Sequence, residues 1–469
     1  MSIKTRRGNS RRGVGPLEAV VITCCGMLDY LLIQSLFNTA GILVPEWMQY
    51  FNAGSATVAW VGASITGSTF LFSPFGSLLV KQFGLRPMLV SSGVLCSLSI
   101  VLSALATRLY IVIICWTVSG FCIAVHIAPV ASYVLTRFGR HRALANGIVA
   151  LGAATGSLIY PIIINQLLEH YDWRGCLVII GGIALNLAPL TMVNRNWSTR
   201  GRSRAIVAAE DGVLLEALKT NEINPERDAK TRKEKEIRME YSRWVIFKES
   251  LQLTLFKKPF MITMLLHTSV SYMAVSIIVI HMVAGFKELM NLESDEARMT
   301  VTAFGVGNII GRVLISLLAH HKSIDTFTVY IFGNLFVGLI ALAPVCRGFV
   351  AAMCLSGFVG FSLASFGCLL QVVLVEVFGE RLVLMAYSYA ILTGGFGYIA
   401  GGPIAGSIYD HWLDYSYSFY LSSALAVGGT LIIFPNWFNH LRRLYKGQNS
   451  SGELSPETKD WIASQITLT

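Results

Sequence analysis

Charge is what this sequence has least of. Asp, Glu, Lys and Arg make up 14% of its 469 residues, against about 25% in soluble globular proteins. The chain also has no cysteine or histidine spacing typical of a zinc site or a disulfide framework, no nucleophile elbow and no phosphate-binding loop. These absences exclude a disordered chain, a small disulfide-stabilised scaffold and almost every soluble enzyme, and they predict neither a metal nor a cofactor.

The scarcity of charge leaves long apolar runs. Ten runs without Asp, Glu, Lys or Arg reach the ~20 residues that a helix needs to cross a bilayer: 47–80, 87–107, 109–136, 143–168, 175–194, 259–286, 326–346, 348–375, 382–409 and 415–440. Two further spans carry one charge each, around Asp29 and around Arg312. Because backbone groups in lipid must bond one another, all twelve are predicted to be helices.

Positive charge predicts the orientation of the spans. The first sixteen residues carry no acid and five basic residues, Lys4, Arg6, Arg7, Arg11 and Arg12. Basic segments stay on the cytoplasmic side, and an even number of spans returns the chain there, so both termini are predicted to be cytoplasmic. The net charge of +10 then indicates anionic lipid headgroups as neighbours and no nucleic acid.

One polar segment interrupts the spans and divides six from six. The predicted organisation is a basic cytoplasmic tail (1–16), a six-helix bundle (17–194), a charged cytoplasmic middle loop (195–257), a second six-helix bundle (258–440) and a cytoplasmic tail (441–469). This layout resembles the major facilitator superfamily. The resemblance implies an all-α membrane fold of two six-helix halves with a substrate site at mid-membrane.

Ionisable residues within spans are costly, so each is a candidate site residue. Arg312 is the strongest candidate, because arginine stays charged and its planar fork matches a carboxylate. Asn308 lies four residues earlier and is predicted to share its helix face. The alternative is that Arg312 extends to the cytoplasmic headgroups and binds no solute.

The first span carries a polar stripe. Tyr30, Gln34 and Asn38 recur every four residues, and such a stripe on an apolar helix is predicted to face a solute cavity. Asp29 lies elsewhere on this helix; it is either a counter-charge or proton site, or a hydrogen-bonded residue near the inner interface. Structural roles are expected for His126 and His267. The nine cysteines are expected to be packing residues.

Four motifs carry a resemblance to the monocarboxylate transporter family. They are Arg142–Gly147, Tyr171–Gly175, Val375–Arg381 and Gly402–Gly406. The family's proton-coupled lactate carriers have a lysine in the first span and an aspartate four residues before the eighth-span arginine, where this chain has Asn38 and Asn308. The resemblance therefore implies that their protonation switch is absent.

The remaining pattern resembles the thyroid-hormone and aromatic-amino-acid branch of that family. This branch has asparagine at the first-span position, and its thyroid-hormone member has a histidine near the outer end of the seventh span, which His281 matches. The resemblance raises His281 and Arg312 to substrate contacts. The branch's tenth-span aspartate is replaced by Leu363, and Phe361 nearby is a candidate pocket wall.

These features predict a multi-pass plasma-membrane carrier for small carboxylate-bearing solutes that works by alternating access. Transport is expected to be facilitative. The alternatives are a proton-coupled lactate or pyruvate symporter, in which Asp29 or a histidine titrates, and a non-transporting sensor on a carrier fold. A single-span ancillary glycoprotein is a further expected partner, as it is for some relatives.

Overall fold

The computed structural model describes residues 16–192, 250–321 and 324–451, and every regular element within them is a helix. Nearly all of the predicted basic tail, most of the predicted middle loop and the end of the predicted C-terminal tail lie outside the described residues. Before the middle loop the described helices are α1 (Pro16–Ile42), α2 (Val44–Phe51), α3 (Ser55–Leu71), α4 (Ser73–Phe83), α5 (Leu85–Ala104), α6 (Leu109–Phe138), α7 (Arg142–His170), α8 (Trp173–Ala184) and α9 (Leu187–Met192).

Six longer elements follow the middle loop in the described part of the chain. They are α10 (Pro259–Leu289), α11 (Ser294–His320), α12 (Thr326–Val337), α13 (Phe349–Phe378), α14 (Val383–Trp412) and α15 (Tyr415–Ser451). Short 3₁₀ segments precede α7 and α10 and extend α12 to Leu342.

Ten helical stretches of the described residues are long and apolar enough to cross a membrane. The predicted second span is instead the pair α3 and α4, which bends by 51° between Leu71 and Ser73. Pro74 in the first turn of α4 explains the bend, because proline has no backbone N–H to continue the helix. The predicted ninth span, α12 with its 3₁₀ extension, is a shorter apolar helix. Every predicted span thus corresponds to helix.

The chain forms two compact units. The first contains the described residues up to Leu251 together with Arg312–His320 and Leu374–Met385. The second contains Gln252–Gly311, His321–Val373 and the described residues from Ala386 onward. Helix α11 therefore contributes its later residues to the first unit and its earlier residues to the second. The predicted bundle boundaries at 17–194 and 258–440 stay a prediction.

Glycine allows close helix packing in each unit. A Cβ atom on Gly152 of α7 would overlap the carbonyl oxygen of Met27 in α1. In the second unit, a Cβ on Gly397 of α14 would overlap the carbonyl oxygen of Ser269 in α10. The contact recurs one turn on, at Gly156 and Gly401. Each unit therefore joins its first and fifth spans backbone to backbone, as small residues allow.

A carboxylate at the start of α12 also holds α15. Asp325 caps α12 by accepting a hydrogen bond from the backbone N–H of Thr328 (2.8 Å), and its other oxygen lies 3.0 Å from Nε2 of His440. Burial alone would raise the pKa of Asp325. The hydrogen bonds and charge of His440, with the hydrogen bonds of Thr328, outweigh burial and set this pKa below its usual value.

We expect the Asp325→Asn variant to melt at a lower temperature than the wild type near neutral pH. Because the pKa of Asp325 is lower in the folded than in the unfolded chain, its stabilising contribution is present above the ordinary carboxyl range and is lost on acidification below about pH 4. Asparagine keeps the cap, so the difference reports the charge. Thermal unfolding of purified protein between neutral and acidic pH measures it, and a difference that keeps its size in acid would contradict the assignment.

Candidate functional site

Asp29 lies against a histidine of another span. Its Oδ1 atom is 3.0 Å from Nδ1 of His126 in α6, and both side chains are 1% exposed. The sequence drew attention to Asp29 but gave no signal for its partner, because the two residues are 97 positions apart. The structure therefore adds His126, which was expected to be structural, to the ionisable groups of the first unit.

The polar stripe of α1 is described in part. The hydroxyl of Tyr30 donates a hydrogen bond to the carbonyl oxygen of Ile127 in α6 (2.8 Å). Gln34 is half-buried and lies along the α7 face that carries Gly156. The side chain of Asn38 lies outside what the structure describes. Of these three side chains, Tyr30 therefore links α1 to α6 through a hydrogen bond.

Arg312 belongs to the first unit. Its half-buried guanidinium donates a hydrogen bond through Nη1 to the carbonyl oxygen of Ala150 in α7 (2.5 Å). A cavity of about 80 Å³ adjoins it, lined by Gly147, Ser316 and neighbouring apolar residues.

Asn308 and Phe361 lie in the second unit. The buried Asn308 amide donates a hydrogen bond to the carbonyl oxygen of Gly360 in α13 (3.0 Å), and Phe361 is half-buried. The Phe361 ring stacks on Phe358 with centroids 6.4 Å apart. Asn308 and Arg312 were predicted to share a helix face, and they lie four residues apart in α11. Asn308 bonds α13 and Arg312 bonds α7.

His281 holds the end of α10 that was predicted to lie outside. Its Nε2 atom donates a hydrogen bond to the carbonyl oxygen of Gly402 in α14 (3.1 Å), and its ring lies 5.8 Å from that of Tyr415. Tyr415 stacks on Tyr409, whose hydroxyl donates to a carboxylate oxygen of Glu288 (3.1 Å). Sequence reasoning missed this aromatic cluster, because aromatic residues at span ends are common.

Two of the resemblance motifs meet in the first unit. Arg142, which opens α7, donates a hydrogen bond to Glu376 at the end of α13 (2.8 Å) and forms an ion pair with it. Beside them the rings of His141 and His320 lie 4.8 Å apart. In the described part of the chain, no cluster of three or more His, Cys, Asp or Glu side chains could hold a metal ion.

The sequence matches the model of the Major Facilitator Superfamily over residues 23–381 and 264–466. The chain therefore belongs to this superfamily of membrane transporters, and the predicted all-α membrane fold is confirmed. The proton:xylose symporter XylE, solved with bound 6-bromo-6-deoxy-D-glucose, has the same fold with a TM-score of 0.68 and 16% identity, over 89% of this chain and 96% of that one. Family and fold are those of transporters and not of enzymes.

Among its relatives are monocarboxylate transporters. Monocarboxylate transporter 9 of Pongo abelii is 25% identical over 85% of this chain and 89% of its own length. Monocarboxylate transporter 14 of Mus musculus is 24% identical over 86% and 87%, and monocarboxylate transporter 12 of Homo sapiens is 24% identical over 98% and 88%. The predicted family resemblance is confirmed, whereas the closer likeness to the thyroid-hormone branch stays a prediction.

Proposed function

We propose that this secondary transporter moves small organic solutes that bear a carboxylate, with monocarboxylates and aromatic amino acid-like compounds as the substrate class. Arg312 is the observation on which this proposal rests. It lies eight residues before the end of α11 at His320, which at 1.5 Å per residue is about 12 Å along the helix. Its guanidinium bonds a helix carbonyl of α7, and this contact supports a position within the bundle.

The charge of Arg312 gives the substrate class. A guanidinium remains protonated within a span and offers paired N–H donors that a carboxylate accepts. The names of the relatives support the same chemistry, since transporters 9, 12 and 14 are all called monocarboxylate transporters. We propose that a substrate carboxylate binds the fork of Arg312.

The other site residues are proposed as substrate contacts. Gln34 and Phe361 are half-buried, and we propose them and Asn38 as substrate contacts in addition to Arg312. Each of the remaining three would exchange an intramolecular hydrogen bond for a substrate contact: Tyr30, Asn308 and His281.

Coupling has two candidates. Facilitative transport is the first, because Asn38 and Asn308 stand where proton-coupled lactate carriers have an ionisable pair, and the Asn308 amide bonds a backbone carbonyl. Proton symport is the second, and the buried pair of Asp29 and His126 favours it. We place the protein in the plasma membrane with both termini cytoplasmic, and we propose a single-span glycoprotein as an assembly partner.

The experiment is uptake of radiolabelled lactate, pyruvate, tryptophan and an iodothyronine by cells that express the protein, at acidic and neutral external pH. Radiolabelled xylose, which has no carboxylate, is the matched control solute. We expect uptake of at least one carboxylate and none of xylose. If the protein reaches the cell surface and takes up no carboxylate, the proposal is wrong.

A further inference from the structure

Asp29 lies at the middle of its span. It is twelve residues from Leu17 and thirteen from Ile42, the ends of the apolar stretch of α1. At 1.5 Å per residue these distances are about 18 and 20 Å. Its partner His126 lies near the middle of α6, three residues beyond its midpoint. The pair is therefore far from both headgroup layers.

The surroundings of the pair are nearly uncharged. Cys25 on the same helix and Cys96 on α5 lie within electrostatic range of Asp29, and Cys122 of α6 lies within the same range of Cys96. From α7, Val149 and Gly152 pack against this part of α1, and from α4 Gly76 packs against α6 beside Val125. Among the described residues, no lysine, arginine or further acid pairs with Asp29 or His126.

The net charge of such a pair is set by its protons. With one proton it is neutral, whether as carboxylate and imidazolium or as carboxylic acid and imidazole. Without that proton it carries one negative charge, and with two it carries one positive charge. A single uncompensated charge at mid-membrane costs at least about 2.5–3.5 kcal/mol. Gain or loss of one proton by the pair therefore adds or removes such a cost, which links the protons of the pair to its surroundings.

Two polar atoms of the pair have no partner. The second carboxylate oxygen of Asp29 and the Nε2 atom of His126 are buried without a hydrogen bond. His267 is also fully buried in a span, but both of its ring nitrogens are bonded: Nδ1 to the carbonyl of Gly429 and Nε2 to the hydroxyl of Tyr330, each at 2.7 Å. Structural histidines are satisfied in this way, whereas His126 keeps one ring nitrogen open.

From this isolation and incomplete bonding we infer that Asp29 and His126 form a proton-binding site, and that this site makes transport pH-dependent. This proton-binding site differs from that of the proton-coupled lactate carriers, whose lysine and aspartate positions are occupied by Asn38 and Asn308 in this chain. The inference rests on the proposed transport of carboxylates, because a bound proton would offset the negative charge of the solute. The proton enters the pair from water on one side of the membrane and leaves to water on the other.

The test uses the full-length protein and two readouts. The first needs no solute: infrared difference spectra of purified protein after a pH jump, in which a carboxylic acid C=O band is monitored. The second is uptake of radiolabelled lactate and tryptophan at external pH of about 6 and about 7.5, the range in which histidine titrates. The variants are Asp29→Asn and the double variant Asp29→Asn with His126→Gln, whose two amides can still hydrogen-bond.

The control is Ser119→Ala, which removes a buried 2.6 Å hydrogen bond between α5 and α6 and no ionisable group. We expect wild type and control to show a titrating band and severalfold higher uptake in acid. Asp29→Asn should lose the band, and both variants should give an acid-to-neutral uptake ratio near one.

Uptake with an unchanged pH profile in both variants, and no band that depends on Asp29, would overturn the inference and leave carboxylate transport intact. A titrating band that disappears in Asp29→Asn, in a protein that takes up no carboxylate, would support the proton site and contradict the proposed function. The two failures are thus distinguishable.

Discussion

The Arg312→Gln variant reaches the membrane as full-length protein and takes up no carboxylate: this is the largest functional effect that we expect. Glutamine is shorter than arginine, but it keeps a polar N–H donor on the face that meets the carbonyl of Ala150. It loses the positive fork. Removal of one member of a buried, hydrogen-bonded charge pair costs about 2–5 kcal/mol, which is roughly a 30-fold to several-thousand-fold loss of affinity.

The matched control for this variant is Arg347→Gln. Arg347 also donates to a backbone carbonyl, that of Leu289, but it is exposed and lies outside the spans. Its replacement should leave uptake unchanged. Arg312→Lys should recover part of the activity, because lysine keeps the charge and loses the fork. Full uptake by Arg312→Gln at normal surface expression would remove Arg312 from the site.

The largest structural effect is expected from Gly152→Leu. The backbone of α1 occupies the place that a side chain at residue 152 would take, at the oxygen of Met27 and the nitrogen of Leu31. Backbone atoms cannot rotate away as a side chain can, so α1 and α7 must separate. Overpacking of this kind typically costs about 1–3 kcal/mol or more, and we expect loss of monodisperse protein in size-exclusion chromatography and little protein at the cell surface.

Gly182→Leu is the control for that variant. Gly182 lies in α8 of the same unit, and a Cβ atom there meets nothing within 4 Å. The same substitution should therefore leave the protein monodisperse, and it should slightly favour the helix, because glycine is about 1 kcal/mol worse than alanine there. Normal behaviour of Gly152→Leu would show that the α1–α7 contact is not essential.

The sequence predicts the spans well, because a bilayer imposes length and composition on each of them. It does not predict their interruptions. The bend between Leu71 and Ser73 lies within one uninterrupted apolar run. Pro74 alone does not predict it, because Pro129 and Pro161 lie inside continuous helices. The short ninth span likewise has the composition of the longer ones.

The candidate site was predictable only residue by residue. The free-energy cost of an ionisable side chain inside the membrane identifies Asp29 and Arg312 from sequence. Helical periodicity correctly places Asn308 one turn from Arg312. Which helix each side chain meets depends on packing between residues distant in the chain. The pairing of Asp29 with His126 and the contact of Arg312 with Ala150, 162 positions away, have no local signature.

The 97 residues that separate Asp29 from His126 also set a delay during biosynthesis. Ribosomes add about 5–20 residues per second, so α1 emerges about 5–20 seconds before the histidine that pairs with its aspartate exists. During this interval the first helix carries an unmatched acid. Insertion of α1 into the membrane therefore bears the cost of Asp29 without its partner, and the pair forms only once α6 has been made.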